Sequence, residues 1–207
     1  MKGLGVLALV ALIATACGAS QHAASRSASP YQGAEKAGGC PARALAGWKR
    51  LARKIEAPVY CPTYLPDPLD GVIGSRWNNI NATSSDRSYL ESWVWQETGL
   101  GAAGGELHVN LRGYPGRTRI PKCVDADTKE RRLIPCFSDP HGTVTGGGIT
   151  ATVYTVNQDA DQWHVLYLWR HDGSLYTVSE HVAPPLSYAK VRIVLNQILR
   201  GLVLVRP

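Results

Sequence analysis

The sequence predicts an α+β fold: a mostly antiparallel β-sheet covered by an N-terminal and a C-terminal helix. Three observations carry this. Apolar residues recur at three- and four-residue spacing around Trp48 and again around Leu195, which is helical periodicity. Between them, several stretches carry apolar residues at alternate positions, the period of a half-buried strand. These stretches follow one another through Gly- and Asp-containing turns rather than through crossover helices, as antiparallel pairing requires. Helices flanking a run of strands pack onto a sheet face to bury their apolar stripes.

The chain reads as three parts: a leader (1–16), an anchor and linker (17–39), and a single extracytoplasmic domain (40–207). Met1-Lys2 supplies a positive start, Leu4 to Ile13 is almost wholly apolar, and Ala14-Thr15-Ala16 are small, the three regions of a secretory signal peptide. The apolar run is shorter than the roughly 20 residues of a membrane-spanning helix. Ala14-Thr15-Ala16-Cys17 resembles the lipobox of bacterial lipoproteins, with Ala14 standing where that family usually has Leu. The resemblance implies cleavage before Cys17, a diacylglycerol on its thiol and acylation of the new amino terminus. It places the protein on the extracytoplasmic side of a cell membrane, held by lipid. Residues 18–39 are rich in Ala, Ser, Gly and Gln and read as a flexible tether with a reach of roughly 25 Å.

The elements of the domain follow in order. Pro41 opens a helix that ends before Pro58, with Leu45, Trp48, Leu51, Ala52 and Ile55 on one face and Arg43, Lys49, Arg50, Arg53 and Lys54 opposite. The stretch from Val59 to Gly71 carries Pro62, Pro66 and Pro68 and is expected to run extended over the surface, pinned by Tyr60, Tyr64 and Leu65. Its Val59-Tyr60-Cys61-Pro62-Thr63-Tyr64-Leu65-Pro66 is similar to the "P-x-Y-L-P" entry of small extracytoplasmic α+β domains of unknown function on bacterial surface and sporulation proteins. Strands are expected at Ile73–Ile80, Tyr89–Glu97, Glu106–Arg112, Ile149–Val156, Trp163–Arg170 and Leu175–Val182, the last two joined by an Asp172-Gly173 hairpin turn. Residues 113–146 form a long excursion. A helix over Ser187–Arg200 turns Val191, Val194, Leu195, Ile198 and Leu199 inward, and Leu202-Val203-Leu204 makes a last short strand.

Lipid on Cys17 leaves four of the five cysteines, an even set that reads as disulfides in an exported chain. Cys40–Cys61 and Cys123–Cys136 close the shortest loops and are the expected pairs, each contributing about 3 kcal/mol by constraining the unfolded chain. With no C-x-x-C pair, no metal is expected. The net charge is +6, and Lys2 leaves with the leader. For an exported protein this mild excess points to anionic lipid or wall polymer, not nucleic acid. Arg43, Lys49, Arg50, Arg53 and Lys54 are the candidates to face a membrane.

The chemical motifs are thin. Gly99-Leu100-Gly101-Ala102-Ala103-Gly104 has dinucleotide-loop spacing, but a strand pattern follows it where that mechanism needs a helix, so no cofactor is expected. Asp125, Asp127 and Glu130 begin like a calcium loop, yet the sixth position is not Gly and the twelfth is Cys136. Ser138, Asp139 and His141 are the only close set of catalytic types. Trp93 and Trp95 share a strand face, as do Trp163 and Trp169. Such platforms suit sugar rings or apolar ligands, and Trp93 and Trp95 are the ligand-binding candidates.

These features predict a membrane-anchored, non-catalytic lipoprotein that binds a protein, lipid or wall partner in the cell envelope. An envelope hydrolase using Ser138, Asp139 and His141, and a carrier of hydrophobic ligands, are the alternatives. The anchor has a direct check: Cys17→Ser is expected to move the protein out of the membrane fraction and to abolish labelling by a fatty-acid probe. Unchanged fractionation and labelling would refute lipidation.

Overall fold

The computed structural model describes residues 39–67, 69, 80–96, 106–125, 132–156, 163–184 and 186–207, with backbone only at Ile80, Trp95, Gln96 and Glu106. The leader, Cys17 and the tether up to residue 38 lie outside the described residues. So do positions 73–79, Gly99 to Gly104, Asp127, Glu130 and the Trp95 side chain.

Helix α1 spans Ala42–Ile55 and buries Ala44, Trp48, Leu51, Ala52 and Ile55. Pro41 is its N-cap, extended in ψ at 132°, and its carbonyl accepts from the N–H groups of Ala44 and Leu45. Glu56 turns into the left-handed region and donates its N–H to the Ala52 and Arg53 carbonyls. Arg53 and Lys54 meanwhile place positive charge at the negative end of the helix dipole.

The seven-stranded sheet is antiparallel throughout. Its order is β2 (Ile80–Thr83), β3 (Tyr89–Gln96), β4 (Glu106–Tyr114), β10 (Ser174–His181), β9 (His164–His171), β8 (Ile149–Val156) and β7 (Thr143–Gly146). The β9–β10 hairpin turns at Asp172 and Gly173, both at positive φ, as a two-residue turn needs to match strand twist. Tyr89 lies across from Gly113, and a Cβ at 113 would strike the Tyr89 ring, so glycine there admits the aromatic side chain.

Helix α2 (Tyr188–Arg200) begins at Ser187, whose hydroxyl accepts from the Lys190 N–H, and packs against β7, β9 and β10 through Val191, Leu195, Ile198 and Leu199. The main core joins these residues to those of α1 and to Trp93, Val109, Leu111, Val153, Val165, Tyr167, Trp169, Tyr176 and Val178 of the sheet. Trp48 of α1 meets Trp93 of β3 with ring centroids 6.3 Å apart. On the opposite sheet face, Tyr154, Val156, Leu166, Leu168 and Leu175 form a second cluster with Phe137. Phe137 comes from the excursion that holds β5 (Lys122–Val124) and β6 (Leu133–Pro135), tied by the Cys123–Cys136 disulfide.

Three sequence expectations are corrected. Val59–Pro62 is a buried strand, β1, paired with β11 (Leu202–Val205) in a separate two-stranded ribbon, not a surface run. Tyr60 is buried edge-on against Trp169 and Tyr176, which makes β1 part of the core although prolines follow it closely. Trp163 does not share the face of Trp169: it precedes the strand at φ 63° and is 63% exposed. The third correction concerns the excursion, which is shorter than 113–146 because β4 runs to Tyr114 and β7 belongs to the main sheet. Both disulfide pairs, Cys40–Cys61 and Cys123–Cys136, are formed as expected.

Trp48 is wholly buried between α1 and the sheet. Trp48→Ala is expected to lower the unfolding free energy by about 3–5 kcal/mol in denaturant titration, through lost contact area and the cavity left behind. A loss below about 1 kcal/mol would show that α1 is not held through this contact.

Candidate functional site

Two polar centres lie on opposite faces of the main sheet. The first is built by α1 and the β2–β3 hairpin. Arg43, Arg50 and Lys54 are seven and eleven residues apart along α1 and so fall on one stripe, with Gly47 between them. Lacking a side chain, Gly47 leaves room beside the hairpin. A cleft of about 320 Å³ results, bordered by Arg50, Leu51 and Lys54 on the helix and by Asn81, Thr83 and Glu91 on the strands. Asn81 is the cross-strand partner of Glu91 and shares its face.

Glu91 alternates with Tyr89 and Trp93 and therefore points toward the core side of β3. It is 3% exposed, and its Oε2 has no hydrogen-bond partner among the described residues. Burial pushes its carboxyl up to about 8, with the nearby Lys54 charge acting in the opposite direction. No ion pair joins the two among the described residues. Arg50 and Lys54 are exposed and have no acidic partner there either.

The second centre is a lane of polar residues on the outer sheet face. His181 is opposite His164 in the β9–β10 register, and the β4–β10 register continues from Glu180 and Val109 to bring His181 beside His108. The three imidazoles thus form a row across β4, β10 and β9. The rings of His108 and His164 are 5.0 Å apart, those of His164 and His181 are stacked at 5.1 Å, and those of His108 and His181 are 6.3 Å apart. Ser92 Oγ lies 2.9 Å from His108 Nε2, diagonally across β3 and β4. Ser92, Asn110, His164 and Ser179 are each at most 2% exposed. A hydroxyl beside an imidazole is the contact that activates a nucleophile, but at 1% exposure Ser92 is closed to solvent. Among the described residues no group of three or more His, Cys, Asp or Glu is arranged to hold a metal ion.

A second buried acid, Glu180, sits between Val109 and Val165 and is fully buried. Neither carboxylate oxygen has a hydrogen-bond partner among the described residues, and desolvation pushes its carboxyl up to about 8.

The sequence-predicted residues fall out as follows. Arg43, Lys49, Arg50, Arg53 and Lys54 are all exposed, but only Arg50 and Lys54 border the cleft. Ser138 donates a 3.1 Å hydrogen bond to Asp139, while no hydrogen bond or ion pair joins the His141 ring to either among the described residues. All three are exposed, and the His141 main chain is fixed by the Val153 carbonyl. Trp93 is 1% exposed and spends its ring on Trp48. Sequence reasoning passed over Glu91 and Glu180, although each is a carboxylate in the apolar register of its strand. His108 and Asn110 gave no such signal, because alternation with Leu107, Val109 and Leu111 reads as a solvent face.

Glu180 makes stability depend on pH. The native carboxyl ionises near 8 and the unfolded one near its ordinary 4.5, so between these values the native state holds a proton that the unfolded state has lost. Stability therefore falls as pH rises from about 4.5 to 8, by an amount on the order of 3 kcal/mol at neutral pH. Glu180→Gln is expected to be more stable than the parent at pH 7 and to flatten this slope in urea unfolding. Equal slopes in both chains would show that Glu180 is not the titrating group.

No protein-family model, curated protein or solved structure matches this chain, so its function is read from its own geometry.

Proposed function

We propose that this chain is a lipid-anchored protein of the extracytoplasmic side of the cell membrane that acts by binding and not by catalysis. Cys17 holds it to the membrane, the linker sets its reach, and the domain meets a protein, lipid or wall partner. In this reading the two helices cover one sheet face, and α1 turns its cation-bearing side outward. The observation that carries the reading is that side: Arg43, Lys49, Arg50, Arg53 and Lys54 are all exposed, with no acidic partner among the described residues. Five cations with no ion pair among the described residues repel one another on a helix of fourteen residues. Arg53 and Lys54 complement the helix dipole, but Arg43, Lys49 and Arg50 have no such placement, which fits a surface that meets anionic groups.

The hydrolase alternative has the Ser138–Asp139 hydrogen bond in its favour, but among the described residues no histidine is hydrogen-bonded to either. The carrier alternative needs an enclosed apolar cavity, whereas the cleft beside α1 is open and sets two cations, an amide, a hydroxyl and a carboxyl beside Leu51 and Ala82.

Complementation separates these readings. In cells lacking the protein, chains with Ser138→Ala or His141→Ala are expected to restore the normal phenotype. A chain with the five α1 cations changed to Gln should reach the membrane fraction but fail to restore it. If His141→Ala abolishes a hydrolytic activity of the purified protein while its melting temperature holds, the enzyme reading replaces this one.

A further inference from the structure

The cleft between α1 and the β2–β3 hairpin combines features that a purely structural surface does not need together. Arg50 and Lys54 lie one helical turn apart on the same stripe and form no ion pair with any acid among the described residues. Glu91 closes the floor with a buried oxygen that has no partner there. Asn81 and Thr83 add an amide and a hydroxyl from the strand side.

Resting on the binding reading above, we propose that this cleft is an oxyanion site for a phosphate ester, with Arg50 and Lys54 pairing its oxygens and Glu91 hydrogen-bonding to it from the floor. A carboxylate ligand offers only two oxygens to this set of donors. A phosphate has further oxygens for the Asn81 amide, the Thr83 hydroxyl and the Glu91 acid. Burial keeps the Glu91 carboxyl in its neutral form up to about 8, so at neutral pH its O–H donates a hydrogen bond to the ligand's oxygen instead of repelling it. Among the described residues, the titratable and charged groups facing Glu91 are Arg50 and Lys54 from α1 and Tyr89 from its own strand. Asn81 and Thr83 of β2 and Leu111 of β4 complete its surroundings and do not titrate. Ionisation of Glu91 above about 8 would place a negative charge against the phosphate and weaken binding. The phosphate ester is either a small soluble molecule or the headgroup of a membrane lipid, and the same cleft chemistry would hold both.

The test uses the full chain in non-ionic detergent and three probes: inorganic phosphate, glycerol phosphate, and vesicles of equal parts phosphatidylglycerol and phosphatidylcholine. Calorimetry with the two soluble probes and co-sedimentation with the vesicles give the affinities. Saturable binding is expected at neutral pH and should weaken with salt. Arg50→Gln with Lys54→Gln should weaken it at least about tenfold, since both partners of the charge-assisted bonds are lost. Both positions are exposed, so the variant should keep its melting temperature. Glu91→Gln should bind at neutral pH and lose the decline through pH 8. Binding to the soluble esters identifies a small-molecule source, and binding to the vesicles alone identifies a lipid headgroup. No binding to any probe, or equal binding by the double variant, overturns the proposal. Fractionation and fatty-acid labelling of the same preparations report on Cys17 separately, so an anchored chain with an inert cleft would refute this inference and leave the anchor standing.

Discussion

The pairing of β4 with β10 is the constraint on which the rest of the main sheet depends. Strands β2, β3 and β4 follow one another, and so do β7, β8, β9 and β10, each group pairing with its sequence neighbours. Only the β4–β10 ladder, from Leu175 opposite Tyr114 to Glu180 opposite Val109, joins them across the intervening chain. Local hairpins form early, but this ladder must first meet the entropy of closing a long loop. Once closed, it aligns Val109 and Leu111 with Tyr176 and Val178, and the inner core becomes continuous from Trp93 to Val153. The same register places His108 beside His181 and the Glu180 carboxyl between two valines. A shift of one residue would exchange the two faces of a whole meander.

Much of this plan was legible from side-chain periodicity. Both helices, the Tyr89 to Gln96 strand, the Ile149 to Val156 strand and the Asp172-Gly173 turn follow from local patterns, because each is decided by its own residues. The ribbon of Val59–Pro62 with Leu202–Val205 was not legible. Its partners stand at opposite ends of the domain, and the prolines that follow β1 argue locally against a strand. Pro62 is tolerated because it ends β1 in a two-stranded ribbon, where it interrupts no larger sheet. Trp163 escaped because parity predicts a face only while the backbone stays extended, and a positive φ breaks the count. The cleft was half legible. Its cations were singled out by helical spacing, but the acid across from them belongs to a strand that only tertiary packing brings near.

The two buried glutamates show how one residue type serves different ends. Glu91 and Glu180 both stand in the apolar register of a strand, and burial raises both carboxyls to about 8. Glu91 opens onto a cleft with cations at its rim, so its ionisation is felt by whatever enters. Glu180 is hemmed in by Val109 and Val165, and its proton is a matter for the fold alone. Position, more than ionisation behaviour, separates a group available to a ligand from one that only tunes stability.

The Cys40–Cys61 bond also decides where mechanical force would go. A pull arriving through the residues before Cys40 meets a covalent bridge at the threshold of the domain and passes straight into β1. Residues 41–58, with α1 among them, form a slack loop parallel to that bridge and lie off the direct path of tension. The load is instead taken up by the β1–β11 ladder and by the Tyr60 ring set edge-on against Trp169 and Tyr176. The helix that bears the cations is thereby shielded from strain along the chain, and its cleft would keep its shape while the protein is tugged from its base.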